Sequence, residues 1–302
     1  MEKSAIVVEN LSKSYGARRS LQGLSFRVPL GSISGFVGPN GSGKTTTIRT
    51  LLGLVKATSG EAHVLGHHIN KPGAYLDRVG AMIEGPAFYP MLGARENLHI
   101  FATMSGVRNL NYGELLESVG LAGKGNDKYK TFSLGMKQRL GIAAALVASP
   151  DLLILDEPTN GLDPDGITEI RNLIQSLARQ GRTIFISSHL LAELEILCNY
   201  FVIIKAGQLI FEGYSQALLQ SESGELVVQP EFAVDLSALL AIAIRHDFPA
   251  SIQAGSLHIE GAATYAADFN RWASEDQIYL KSLHVNSSTL EEKFFDMSAQ
   301  SS

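Results

Sequence analysis

Residues 38–45 read Gly38-Pro39-Asn40-Gly41-Ser42-Gly43-Lys44-Thr45, a complete G-x-x-x-x-G-K-[ST] phosphate-binding pattern. Before it, Ser32-Ile33-Ser34-Gly35-Phe36-Val37 has the apolar character of a short buried strand. From Thr46 onward, Ile48, Leu51, Leu52 and Val55 recur at helical spacing. The pattern thus falls between a strand and a helix, the context in which it works. Glycines let backbone N–H groups turn inward around phosphate oxygens, and the helix start adds the positive end of its dipole. Lys44 is expected to reach the β- and γ-phosphates of a nucleotide, and the Thr45 hydroxyl to bind Mg²⁺.

Bulk properties narrow the class. A chain of 302 residues with 45% hydrophobic content builds a sizeable core in one large domain or two smaller ones. Its net charge of −5 supplies no global positive field for DNA or RNA, so no nucleic-acid partner is expected. Cys198 is the only cysteine, which leaves no internal disulfide and fits a reducing cytosol. Met1-Glu2-Lys3-Ser4 lacks the apolar core of a signal peptide. The longest apolar runs, 142–148 and 236–244, fall short of the roughly 20 residues a membrane helix needs and read as packed helices.

Along the chain, strands are expected at 5–9, 24–28, 62–65 and 78–83, the last stopped by Glu84-Gly85-Pro86. Tyr15, shortly ahead of the phosphate loop, either stacks on an adenine ring or closes a hairpin. Helices are expected at 94–104, at 111–119 with Asn111 as N-cap, and from Ser133 through Leu146. Leu152-Leu153-Ile154-Leu155 is a continuous apolar run, as a central parallel strand requires. A helix at 167–179, a buried strand at 183–187, a helix at 190–197 and a hairpin of 201–204 with 209–211 follow. Composition shifts after about residue 221, and the remaining segments read β-α-β-β-α-β plus a helix at 289–297. The expected organisation is a domain over 1–221 and a split-βαβ accessory domain over 222–302.

Asp156 and Glu157 end the apolar strand. A carboxylate at such a tip, beside a phosphate loop, can hold Mg²⁺ directly or through water, and its neighbour can orient and deprotonate a water. Tyr15, the phosphate loop, Ser133-Leu134-Gly135-Met136-Lys137-Gln138, Leu155-Asp156-Glu157, Gly161-Leu162-Asp163 and His189 occur in the order found in ABC-transporter ATPase cassettes, which the chain resembles over about residues 1–221. The signature, commonly Leu-Ser-Gly-Gly-Gln, keeps its serine and second glycine as Ser133 and Gly135, while Leu134 and Met136 depart from it.

The resemblance implies an α/β fold: a mixed-to-parallel core sheet around the loop, an antiparallel β-region, and a helical insert between Pro86 and Ala148. It implies that residues Gly38 to Thr46 (Pro39, Asn40, Gly41, Ser42, Gly43, Lys44 and Thr45 included) hold the phosphates of ATP with Mg²⁺. It also implies a head-to-tail dimer in which Ser133 and Gly135 of one copy meet the γ-phosphate held by Lys44 of the other. By itself Ser133 reads as an ordinary N-cap, and Asp163, in the dimer-facing loop of the family, also reads as a cap or turn residue. His189, in the register of the switch histidine, is implied to sense the γ-phosphate and place water beside Glu157. Where most family members carry Gln for the metal and water, this chain has Glu84. Together with 85–90 and 131–140, Glu84 resembles the ATPases of lantibiotic-immunity and bacitracin-resistance transporters.

The implied function is ATP hydrolysis that powers a separate membrane permease, with export of an antimicrobial peptide. The chain is then peripheral on the cytoplasmic face of the membrane. Export of a drug, lipid or polysaccharide is the nearest alternative, and a soluble ABC ATPase of translation or DNA repair a more distant one. Such soluble ATPases usually carry two cassettes or a long coiled coil, and one cassette without sustained heptads stands here. A non-hydrolysing regulatory subunit is disfavoured by the presence of both Glu157 and His189.

Overall fold

The computed structural model describes residues 3–84, 88–215 and 224–286. Contacts divide the chain into two compact units, Met1–Ser215 and Gln216–Ser302. The first unit opens with β1 (Ser4–Tyr15), β2 (Arg18–Pro29), β3 (Ile33–Val37), α1 (Lys44–Leu51), β4 (Ser59–Val64), β5 (His67–His68) and β6 (Val79–Met82). An insert follows with α2 (Ala94–Met104), α3 (Tyr112–Ser118) and α4 (Leu134–Leu146). Then come β7 (Leu152–Asp156), α5 (Pro164–Arg179), β8 (Thr183–Ser188), α6 (Leu191–Glu195), β9 (Tyr200–Lys205) and β10 (Gln208–Tyr214).

The core sheet runs β10-β9-β3-β8-β7-β6, parallel from β9 to β6 with β10 added antiparallel at one edge. Every residue of β7 and β8 is buried, because a parallel strand covered on both faces has no solvent side to make polar. A second, antiparallel sheet runs β2-β1-β4-β5. Phe26 on β2 stacks with Phe36 on β3 and Phe185 on β8, centroids 5.0 to 6.0 Å apart, and this stack joins the two sheets. Buried Tyr75 donates its hydroxyl to Leu51 O at 2.7 Å and so closes the end of α1; burial pushes its phenol up. Burial likewise pushes the Cys198 thiol up, which disfavours the reactive thiolate.

Several boundaries differ from the expectation. β1 and β2 are each 12 residues long, well beyond 5–9 and 24–28. Register shifts along their pairing, such as that between Val8 and Leu11, break the two-residue alternation by which a strand is recognised. Helix α1 begins at Lys44 rather than Thr46, because the left-handed turn at Gly43 already starts it. Helix α5 begins at Pro164 rather than Ile167: Asp163 caps it, and proline is tolerated at the first helical position.

The second unit, taken by itself, contains β11 (Glu225–Pro230), α7 (Leu236–Arg245), β12 (Ala250–Gln253), β13 (Ser256–Ile259), α8 (Ala266–Glu275) and β14 (Leu280–Asn286). Its sheet order is β12-β13-β11-β14, antiparallel throughout. Leu226, Val228, Leu257 and Ile259 meet Leu239, Ile242 and Phe269 of the helices in a core of their own. The helix expected at 289–297 lies outside the described residues. Among the described residues, no helix is long and apolar enough to cross a membrane.

Candidate nucleotide site

The loop between β3 and α1 is held tightly from behind. A Cβ on Gly38 would stand 2.4 Å from Ile204 O and 2.5 Å from Ser42 Oγ. Gly43 has φ 111°, and a Cβ there would meet Leu21 Cδ2 at 2.7 Å and Ser20 O at 2.8 Å. The β9–β10 turn braces the loop: Gly207 N donates to Ser42 O at 2.8 Å, while Gln22 donates to Gly207 O and Ala206 O, both at 2.9 Å. Gly38→Ala is therefore expected to destabilise the first unit by about 1–3 kcal/mol, since the clash is with backbone that cannot rotate away. Urea denaturation checks this, and an unchanged midpoint counts against the packing described.

At the mouth of the loop the first amides of α1 lack intrahelical acceptors, and no acidic residue occupies the first turn. Such an end attracts an anion. It opens on a cleft of about 340 Å³ lined by the loop together with Arg18, Ser20, Glu157, Asn160 and His189.

The cleft chemistry is concentrated in a few side chains. Lys44, 6% exposed, donates to Gly38 O at 2.7 Å and lies 3.3 Å from Glu157 Oε1. Glu157 Oε2 accepts from His189 Nδ1 at 2.9 Å. A carboxylate set between an imidazole and an ammonium in a half-closed cleft is placed to take a proton from a water. Glu157 follows β7 with φ 50°, and its amide donates to Ser187 Oγ at 3.0 Å, which pins the turn that aims it. Asp156, nearly buried, accepts from Thr45 Oγ1 at 3.0 Å and from Ser187 Oγ. Thr45 and Asp156 thus offer two hard oxygen donors side by side. Among the described residues no group of three His, Cys, Asp or Glu forms a cage. This donor set suits Mg²⁺, which takes one or two protein ligands and completes its shell from phosphates and water.

Of the residues singled out in the sequence, the structure brings Gly41, Lys44, Thr45, Asp156, Glu157 and His189 together. It does not bring the signature to them within one chain. Ser133 caps α4, accepting from Met136 N at 3.3 Å, and Asp163 caps α5, accepting from Gly166 N at 2.8 Å. Both, with Gly135, line a separate cleft of about 440 Å³ that shares no residue with the first. Tyr15 ends β1 half-exposed, with Lys13 Nζ 4.8 Å from its ring centre. The Glu84 carboxylate, 61% exposed, pairs with Arg49 Nη2 at 2.6 Å, one helical turn along α1 from Thr45. Sequence reasoning missed Arg18, Ser20, Asn160, Ser187 and the bracing turn at Gly207. Asn160 directly precedes the Gly161-Leu162-Asp163 motif and Ser187 ends the strand expected at 183–187, whereas nothing local marks Arg18 or Gly207 as neighbours of the loop.

Comparison with known proteins bears on the whole first unit. Residues 21–160 match the family model described as ABC transporter. The bacitracin transport ATP-binding protein BcrA of Bacillus licheniformis is 51% identical over 210 residues, covering 68% of this chain and 69% of that one. The lantibiotic transport ATP-binding protein SrtF of Streptococcus pyogenes is 45% identical over 205 residues, covering 68% and 89%. Among solved structures, an ATP-binding cassette of an ABC transporter in its ADP conformation superposes with a TM-score of 0.65 at 25% identity, covering 71% of this chain and 92% of that one.

Proposed function

The chain belongs to the ABC transporter family as an ATP-binding subunit, and from that premise we propose that it powers export of an antimicrobial peptide of the bacitracin or lantibiotic kind through a separate membrane permease. The observation that carries the peptide reading is the likeness to BcrA and SrtF, named for bacitracin and lantibiotic transport. The geometry of the cleft supports the ATPase part.

In this reading the loop amides and Lys44 hold the phosphates, and Tyr15 stacks on the adenine. Thr45 and Asp156 hold Mg²⁺, which when bound neutralises phosphate charge. Glu157 takes the proton of the attacking water. His189, bonded to the far oxygen of Glu157, keeps that carboxylate turned toward the γ-phosphate and gives a polar contact on the same side. The separation of the two clefts supports a head-to-tail dimer: Ser133 and Gly135 of a second copy complete the site, with Asp163 at the seam. Clamping of the γ-phosphate from both sides then supplies much of the rate enhancement.

The permease is proposed to hold the chain at the cytoplasmic face of the membrane. Its contact is proposed along 84–97, of which 85–87 lie outside the described residues. Beside that segment a groove of about 690 Å³ runs between edge strand β6, α2 and α4, lined by Leu76, Met82, Phe101 and Ala144 among others. Glu84, on this boundary and paired with Arg49 of α1, is proposed to tie nucleotide occupancy to that contact.

The test is resistance. Co-expression with a matching membrane permease is expected to raise the inhibitory concentration of bacitracin or a lantibiotic in a sensitive bacterium, and Glu157→Gln to remove the gain. Protection against small drugs or lipophilic toxins, with none against either peptide, would overturn peptide export and leave the ATPase intact.

A further inference from the structure

The nucleotide cleft contains a cation that the reading above does not use. Arg18 opens β2 at the turn after Tyr15, with which it is paired across the hairpin. Its guanidinium reaches over the phosphate loop: Nη2 lies 3.9 Å from where a Cβ on Gly41 would stand, and Arg18 lines the cleft with Lys44, Thr45 and Thr46. Lys44, in the same cleft, is matched by Glu157 at 3.3 Å. The Arg18 side chain has no hydrogen-bond or ion-pair partner among the described residues. An exposed arginine with no partner ordinarily extends into solvent, whereas this one lies over glycine backbone whose amides face an anion site.

We propose that Arg18 is a second cationic contact to the polyphosphate chain of the nucleotide, placed on the side of the loop toward the base. The inference rests on the reading of the cleft as a nucleotide site. Its position between Tyr15 and Gly41 puts it along the path from adenine to phosphates. A guanidinium presents a planar fork of donors that matches two phosphate oxygens, which an ammonium meets only as a point charge. The ligand class it selects is a nucleoside di- or triphosphate over an uncharged nucleoside.

Equilibrium binding of ATP, ADP and adenosine to the full chain, with divalent ions chelated, tests this. Arg18→Ala is expected to weaken ATP and ADP by about tenfold, as loss of a hydrogen bond to a charged group does, and to leave adenosine unchanged. Arg18→Lys is expected to recover part of the loss, and the salt dependence of ATP binding to become shallower in Arg18→Ala. Thermal unfolding of the unliganded variants checks that the turn is intact. Wild-type affinity for both nucleotides in Arg18→Ala, while Lys44→Ala loses them, overturns this inference and leaves the nucleotide site standing. Wild-type affinity in Lys44→Ala overturns the site reading itself. Equal loss for adenosine overturns the phosphate contact, because the effect then comes from the base end of the turn.

Discussion

Replacing Glu157 by Gln is expected to lower ATP turnover by at least a hundredfold while ATP still binds. The substitution keeps the length of the side chain and one acceptor oxygen, so the contact with His189 Nδ1 at 2.9 Å survives. What disappears is the ability to accept a proton, and general-base catalysis is worth about 10²- to 10⁴-fold, or roughly 2.7 kcal/mol and more in the barrier. The ion pair with Lys44 at 3.3 Å goes as well, and its loss frees the ammonium for phosphate. Affinity for ATP is therefore expected to hold or rise. An ATP-bound species of twice the subunit mass should accumulate in light scattering, because closure no longer leads to hydrolysis. Turnover within a few-fold of wild type would remove Glu157 from the catalytic role.

The second large effect is expected at the other cleft. Ser133→Arg should abolish ATP-driven dimerisation and reduce turnover by more than tenfold, although Ser133 lies in a cleft separate from that of Lys44. Arginine places bulk and charge at the helix start that a second copy would present to the γ-phosphate. The substitution also removes the cap on Met136 N, at a cost of about 0.5–2 kcal/mol to α4. Ser133→Ala separates the two causes, since it loses the cap without adding bulk. If Ser133→Ala dimerises with ATP and Ser133→Arg does not, the block is at the interface. If Ser133→Arg, made together with Glu157→Gln, doubles its mass with ATP as the single variant does, the shared-site arrangement is wrong.

These two sites differ in how far the sequence disclosed them. The phosphate loop and the tip of β7 were legible because each is a contiguous run, read from spacing along one strand–turn–helix. The signature was legible as a helix start, and its cap at Ser133 is what a short polar side chain before an apolar helix produces. The β-region was legible only in part. Bulges in the β1–β2 ladder interrupt the alternation, so two 12-residue strands read as two short ones. The accessory unit has few buried positions per strand, yet its alternation is regular enough in β11, Leu226 and Val228 inward, to set its order.

Sequence alone determined which local machines this chain contains: a phosphate cradle, a carboxylate pair at a strand tip, a capped signature helix and a histidine after a buried strand. Each depends on neighbours within a few residues, where backbone geometry ties position to direction. Tertiary structure decided which of them meet. The Thr45–Asp156 and Lys44–Glu157 contacts cross more than a hundred residues and exist because β8 lies between β3 and β7 in the sheet. The brace of Gly207 on the loop follows from β9 lying beside β3, and the placing of Arg18 above the loop from the packing of the second sheet on the first. Strand order is a property of long-range pairing and core packing, and no single stretch of sequence carries it.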